Sequence, residues 1–317
     1  MSKHSTVCAG IDTSKRKLDV AVDGRTERLQ VNNAADGYKR LADWLRQHRV
    51  KRVGIEASGG YEQAVIAELR RKGFVVIMFQ PVQVRAYAIF HLQRAKNDKI
   101  DAGLIASCAA AAKKVHAPPD PRLAPLAEHL TMIEQIIADI ASLKNRCESC
   151  RDLRIHGIWK AEIARLKKLE KTELKSLVAD IRQHRDLAER LDLIYSVDGI
   201  GVQTAVSILV RVPEIGRITR EQAAALAGLA PYDDESGDLV RVRHIRGGRE
   251  RLRRALYAAA LPAAFYWNPQ LIALYRRLIK AGKVHKVALI ACARKLLTFA
   301  NTVVARGTPW TTQPHAA

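Results

Sequence analysis

Acidic residues are scarce in this sequence: 32 Asp and Glu stand against 53 Lys and Arg in 317 residues, a formal net charge of +21. No apolar run is long enough to cross a bilayer. The longest, Leu256 to Trp267, falls well short of the roughly 20 residues that a spanning helix needs, and Pro262 interrupts it. The opening stretch lacks the apolar segment of a secretory signal and carries Asp12 and Lys15 where one would lie. A cytoplasmic chain with no membrane partner is therefore expected. Cysteine is sparse and odd in number: Cys8, Cys108, Cys147, Cys150 and Cys292 fit reduced thiols, not a disulfide framework. Cys147-x-x-Cys150 is half of a zinc site with no second CxxC or His pair to complete it, so it reads as coincidence on a helix. Also missing is any GxxxxGK loop, and no nucleotide cofactor is expected.

What remains is an ordinary globular composition under an unusual field. Hydrophobic residues make up 48% and charged residues 27%, which excludes disorder and low complexity. The length suits two or three domains. A positive balance of this size attracts polyanions, and nucleic acid is the commonest large polyanion a protein meets.

The pattern divides the chain into three parts, 1–117, 118–193 and 194–317. In the first, TVCAGIDTSKRKLDVAVD reads as two strands about a polar turn, and RTERLQVNN as a third. A helix over 34–48, the strand KRVGIEA, a helix from Tyr61 to Lys72 stopped by Gly73, and the run FVVIMF follow. Helices over 82–90 and 98–114 close this part. Alternating strand and helix implies a mixed sheet with helices packed on it, an α/β domain.

In the second part, Leu123, Leu126, Leu130, Ile133, Ile137 and Ile140 recur at steps of three and four, an apolar seam that returns in Ile163, Leu166, Leu169, Leu177, Ile181 and Leu191. A coiled-coil-like helical hairpin breaking near His156-Gly157 is expected, its seams closing on each other or on a second subunit. The third part is mainly helical and opens with YSVDGIGVQTAVSILVRV. A Gly199-Ile200-Gly201 turn before an amphipathic helix is how helix-hairpin-helix elements offer backbone N–H groups to a phosphate, though it also serves plain packing. From Arg241 to Arg254 stand seven arginines: Arg241, Arg243, Arg246, Arg249, Arg251, Arg253 and Arg254, with one acid, Glu250. A solvated helix face is the plain reading of such a run; its density, with Gly247-Gly248 among it, favours phosphate binding.

The acids of the first part carry the chemistry. Asp12 ends one apolar strand and Glu56 another, so neighbouring strands project both from one sheet edge. Asp98 and Asp101, at i and i+3 of a helix start, share a face. Four carboxylates so placed can hold two divalent cations about 3.5–4 Å apart, the arrangement used in phosphodiester cleavage, and hard oxygen ligands point to Mg2+ or Mn2+. Each acid alone has a structural reading, as a cap or strand terminus. Together they are costly without metal or partner, which Lys15, Lys96 and Lys99 supply only in part; these lysines suit phosphates equally.

GIDTSKRKLDVAV, IEASGGYE, KNDKIDA, the GIG turn, AGLAPYDDESG and RHIRGGRERLRRALY resemble, in order and over nearly the whole chain, the motifs of the insertion-sequence 110 family of transposases, which includes the Piv-type DNA invertases. The resemblance implies an RNase H/RuvC-like first domain with a DEDD metal site at Asp12, Glu56, Asp98 and Asp101, a coiled-coil insert, and a C-terminal transposase domain whose catalytic serine falls on Ser236. It implies metal-assisted attack by that serine, a covalent phosphoserine link, DNA partners at element ends and target, a structured guide RNA encoded by the element, and a dimer or tetramer. From the residues alone, Ser236 is a turn residue in a polar loop.

Two positions depart from the family pattern. Glu235 stands where Asp commonly precedes the serine, and Asp198 where Pro commonly precedes the GIG-like turn. Two other readings compete: a hydrolytic RuvC-like nuclease that needs the acids without the serine, and a nucleic-acid scaffold with vestigial acids. A sugar-kinase or actin-like ATPase ranks last, since no second glycine-rich phosphate loop appears.

Overall fold

Strand alternation organises the amino-terminal part of the structure. The protein is described by a computed structural model over residues 6–92, 98–113, 115, 120–232, 235–236, 239–240 and 244–311, with side chains left aside at 98–100 and within 232–240. It divides into two compact units, Met1–Pro118 and Pro119–Ala317.

In the first unit, β1 (Cys8–Thr13), β2 (Lys17–Val22) and β3 (Arg28–Asn32) form an antiparallel meander. β4 (Arg52–Glu56) and β5 (Val75–Phe79) add parallel to β1, giving the order β3-β2-β1-β4-β5. Three antiparallel strands followed by two parallel ones in this order are the RNase H/RuvC-like arrangement. Side chains of successive strand residues point to opposite faces. Ala9, Ile11, Val53 and Ile55 accordingly enter one core layer with Leu41 and Leu45 of α1 (Ala35–Gln47) and Val65 and Leu69 of α2 (Gln63–Arg71). Each such fully buried Leu, Ile or Val contributes about 1.5–3 kcal/mol. The other face carries Cys8, packed with Ile105, Cys108 and Ala109 of α4 (Asp98–Ala111) and with Val84 of α3 (Pro81–Phe90).

Helix α4 approaches this face at backbone distance. A Cβ built on Gly10 would lie 2.2 Å from both the Ala102 oxygen and the Ala106 nitrogen, and one on Gly54 would lie 2.8 Å from the Ile105 oxygen. Only glycine permits that contact. At the other end, the Arg52 guanidinium donates to the carbonyls of Ala109 and Ala112, at 3.0 and 3.1 Å, so α4 runs antiparallel to β1 and β4.

The second unit begins with two long helices, α5 (Leu123–Ser149) and α6 (Leu153–Arg182), packed as an intrachain hairpin. The break falls at 150–152, not at His156-Gly157. Asp152 caps α6 by accepting from the N–H groups of Arg154 and Ile155, at 2.8 and 3.0 Å, and Gly157 is carried inside the helix. A capping aspartate is worth about 0.5–2 kcal/mol, comparable to the roughly 1 kcal/mol lost by an interior glycine, so a helix started by this cap can carry the glycine. The α5 seam also shifts by one residue: Ile136 is buried and Ile137 only partly. Ile136, Ile140 and Leu166 make a separate small cluster, while Leu123 to Ile133, Leu177 and Ile181 join the main core.

That core is completed by α7 (Arg185–Tyr195), α8 (Val202–Arg211), α9 (Arg220–Ala227), α10 (Glu250–Pro262), a π-helical turn over Ala263–Trp267, α11 (Pro269–Lys280) and α12 (His285–Arg306). Between α9 and α10 lie two short ladders, β6 (Pro231–Tyr232) with β9 (His244–Ile245), and β7 (Glu235–Ser236) with β8 (Leu239–Val240). Helix α12 is long and apolar enough by length and composition to cross a membrane, which the sequence reading did not anticipate. Its Leu289, Cys292, Leu296, Leu297 and Phe299 are instead buried in this core.

Candidate active site and nucleic-acid contacts

Asp12 lies two residues beyond Gly10, and Glu56 two beyond Gly54, so both carboxylates stand on the face that α4 covers. Ile11 pairs with Ile55 across the parallel ladder, which sets the next residues, Asp12 and Glu56, at the same carboxyl edge. Because α4 runs antiparallel, its first turn reaches this edge. Asp101 immediately precedes Ala102, the residue that touches Gly10, and the backbone of Asp98 begins the helix one turn earlier. Strand alternation and the two glycine contacts thus bring four acid positions to one corner of the sheet. Asp12, Glu56 and Asp101 are half-buried; the Asp98 side chain lies outside the described residues.

The donors at this corner are carboxylate oxygens, the chemistry that hard divalent cations select. Among the described residues no three His, Cys, Asp or Glu side chains gather closely enough to hold an ion, so Asp12, Glu56 and Asp101 do not by themselves form a closed site. The corner fits a divalent metal in the type of donor it offers. Cys108, on the same face, is not a soft competitor. Burial, and secondarily the charge of Glu56, pushes its thiol up to about 11, leaving it protonated and inert near neutral pH.

Three residues that the sequence reading passed over shape this edge. Asp19 faces Asp12 across the β1–β2 ladder and is engaged by Gln30 at 2.6 Å and Lys17 at 3.5 Å. The Asn33 amide donates to the carbonyls of Ser14 and Tyr61, at 2.9 and 3.0 Å, tying the turn after Asp12 to the loop after Glu56. Glu62 is buried at 3% exposure and accepts from the Ser58 N–H, the Ser58 hydroxyl and the Gly60 N–H, at 3.1, 2.8 and 2.9 Å. Burial works to raise its pKa, but these hydrogen bonds to the ionised form outweigh it and hold the carboxyl below the ordinary glutamate value. The signal in the sequence was the compact S-G-G-x-E spacing, which closes a loop on its own carboxylate.

Of the proposed contact residues, Lys96, Arg241 and Arg243 lie outside the described residues, as does the Lys99 side chain. Gly199 has φ +92°, and a Cβ there would meet the Ala263 Cβ at 2.4 Å, so this glycine serves packing. Gly201 caps α8 with open space around it. Asp198 is part of the same turn. Its carbonyl accepts from the buried Asn268 amide at 2.9 Å and its carboxylate from the Trp310 indole at 3.2 Å.

Several arginines of the basic run have internal partners. Arg249 grips Glu214 through two bonds of 2.9 and 2.7 Å, and Arg251 meets Glu134 at 2.9 Å, beside a bidentate Arg211. Arg253 donates to the Gly247 carbonyl at 2.6 Å, and Arg254 lies 3.6 Å from Glu250. Gly248 packs backbone against backbone, its would-be Cβ 2.1 Å from the Gly228 nitrogen. Arg246 is exposed. Ser236 sits on β7, paired through its backbone with Leu239, and its side chain is outside the described residues.

Comparison with known proteins matches two transposase family models along the chain. The DEDD-type IS110 transposase model covers residues 9–153, and the model described as the transposase IS116/IS110/IS902 family covers residues 191–276. A pilin gene-inverting protein of Moraxella bovis is 26% identical over 96% of this chain and 98% of that protein. Its counterpart from Moraxella lacunata shows the same identity and coverage. Among solved structures, Thermus thermophilus RuvC is similar at 21% identity, covering 36% of this chain and 84% of that one with a TM-score of 0.24.

Proposed function

This chain belongs to the insertion-sequence 110 family of DNA transposases and site-specific recombinases, and from that premise we propose that it cuts and rejoins DNA through a covalent link to Ser236, with metal-assisted chemistry at the acidic corner. The observation that carries the acidic half is the convergence of Asp12, Glu56, Asp101 and the Asp98 backbone at one sheet edge, with α4 locked by Gly10 and Gly54. Asp12, Glu56, Asp98 and Asp101 would hold two Mg2+ or Mn2+ ions, which supply charge neutralisation at the scissile phosphate.

The rest of the chemistry belongs to this chain's residues. The Ser236 oxygen forms a bond to phosphorus as the bond from phosphorus to the leaving nucleoside oxygen breaks. The serine proton goes, in net terms, to that leaving oxygen, so a phosphoserine ester and a free hydroxyl result. Attack by the hydroxyl of another strand reverses the step and frees the serine. The phosphodiester energy is conserved and no ATP is required. Asp101 and Asp98 act as a unit because one helix carries both, and Glu62 and Asn33 hold the loops that flank Asp12 and Glu56.

The positive charge suits two nucleic acids. We assign DNA as substrate, and a structured guide RNA from the element, together with a dimeric or tetrameric assembly, as further parts of the proposal. Activity as an invertase or as a transposase then depends on the DNA that flanks the gene. The test is strand exchange between two DNA segments carrying the element ends, with the native flanking transcript present. Exchange should require divalent metal and should fall by at least on the order of 10²-fold in Asp12→Asn and Asp101→Asn. Metal-dependent nicking that continues in Ser236→Ala, with no exchange, would replace the proposal by a hydrolytic nuclease.

A further inference from the structure

A groove of about 920 Å³ lies within the second unit between α9, α11 and α12, lined by none of the arginines of the 241–254 run. One face of each helix lines it. Ala291, Arg294, Lys295 and Thr298 follow the spacing of a single stripe on α12, and Gln270, Ala273, Leu274 and Arg277 do so on α11. Four cations, Arg220, Arg277, Arg294 and Lys295, face one carboxylate, Glu221, which is already paired with Arg220. Arg277, Arg294 and Lys295 are exposed and make no ion pair among the described residues; Lys295 instead lies over the Phe299 ring at 5.1 Å. Arg249 and Arg251, by contrast, are held by Glu214 and Glu134. Three cations with no ion pair among the described residues therefore line this one groove.

We infer that this groove binds the phosphodiester backbone of a nucleic-acid strand and leads it toward Ser236, an extension that rests on the recombinase reading for its direction. The cations match repeating phosphates, and a floor of alanines and leucines suits the less polar sugar edge between them. At one end the wall is formed by Ala230 and Pro231, and Pro231 opens β6. Five residues of chain then reach Ser236, which therefore lies within about 18 Å of Pro231, some five nucleotide steps along one strand of a duplex. An acidic protein segment would also be drawn to cations, but the net charge of +21 and the continuity with the serine strands favour nucleic acid.

The groove is tested by binding, separately from the chemistry. The full chain with Ser236→Ala, which cannot form the proposed adduct, is titrated by fluorescence anisotropy with a labelled duplex of an element end. A labelled transcript of the flanking DNA is titrated in parallel, both across a range of salt. Substituting Arg277, Arg294 and Lys295 together by Gln should lower the slope of log K against log salt by about 2.7 on duplex, near 0.9 for each lost phosphate contact. That loss on the duplex supports the inference, and a loss confined to the transcript would make the groove an RNA site and overturn its path toward Ser236. A charge-matched triple at Lys167, Lys168 and Lys171, exposed on α6, should change the slope by less than one. Equal losses in the two triples, or no loss in the groove triple, would overturn the inference. Ala273→Asp, which keeps every cation while placing a carboxylate in the floor, should also weaken binding at least tenfold, and full binding in a folded Ala273→Asp chain would count against it. Failure of the serine reading would appear elsewhere, as an adduct that survives loss of Ser236.

Discussion

Replacing Gly10 by alanine adds a single carbon at the place where α4 meets the sheet. That carbon would sit 2.2 Å from two backbone atoms of α4, and neither the Ala102 oxygen nor the Ala106 nitrogen can rotate away as a side chain does. Ordinary contact requires the helix to retreat by about 1 Å. Overpacking of this kind costs about 1–3 kcal/mol. In calorimetry of the full chain, the transition of the first unit should drop by roughly 4–12 °C, at about 4 °C for each kcal/mol. If Asp98 and Asp101 act as proposed, the functional loss should be larger than stability explains, because α4 carries both and a shift of 1 Å in a catalytic group costs on the order of 10²-fold in rate. Strand exchange measured well below the melting transition separates the two effects. Gly24→Ala is the control. Unlike Gly10 it has a positive φ, +66°, but no atom lies within 4 Å of the added carbon, so it should lose some stability and keep full activity. A Gly10→Ala protein with wild-type melting and wild-type exchange would refute the claim that this glycine sets the acidic corner.

Other perturbations test other links. Gly157→Ala fills open space inside α6 and should stabilise the protein by roughly 0.5–1 kcal/mol in denaturant unfolding. Glu134→Ala removes the partner of Arg211, whose side chain is only 14% exposed, and should cost about 3–5 kcal/mol. Arg185→Ala, breaking a pair whose arginine is 93% exposed, should cost under about 1 kcal/mol, and similar losses in the two variants would contradict the burial argument. Glu62 has a depressed carboxyl pKa, so its stabilisation is present above the unfolded glutamate value of about 4.3 and is lost as pH falls through the lower folded value. Acid titration of stability should therefore be flatter in Glu62→Gln than in the wild type across that window.

Much of the fold was legible because its signals are local. Alternation in VCAGID and VGIE marked two strands, and the acids that end them fell at one edge once the strands were known to be neighbours. The mixed α/β first unit followed from strand and helix taking turns along the chain. Features decided by distant partners were not legible. Gly10 reads as a weak strand residue until Ala102 and Ala106, some 90 positions later, are packed on it. Arg251 reads as a DNA clamp until Glu134, 117 residues earlier, is found beside it. The hairpin break was misread because a helix-starting cap, Asp152, and a helix-weakening glycine, Gly157, stood five residues apart, and the cap is what sets the break. The groove of α9, α11 and α12 left no motif at all, since its cations come from three helices and gather only on folding.

The account turns on a covalent bond between Ser236 and DNA that depends on the acidic corner. In cells carrying this gene with its native flanking DNA, protein–DNA adducts would be trapped under denaturing conditions for the wild type, Ser236→Ala and Asp12→Ala. The account predicts an adduct in the wild type that is lost in both variants. An adduct of undiminished yield in Ser236→Ala would contradict it.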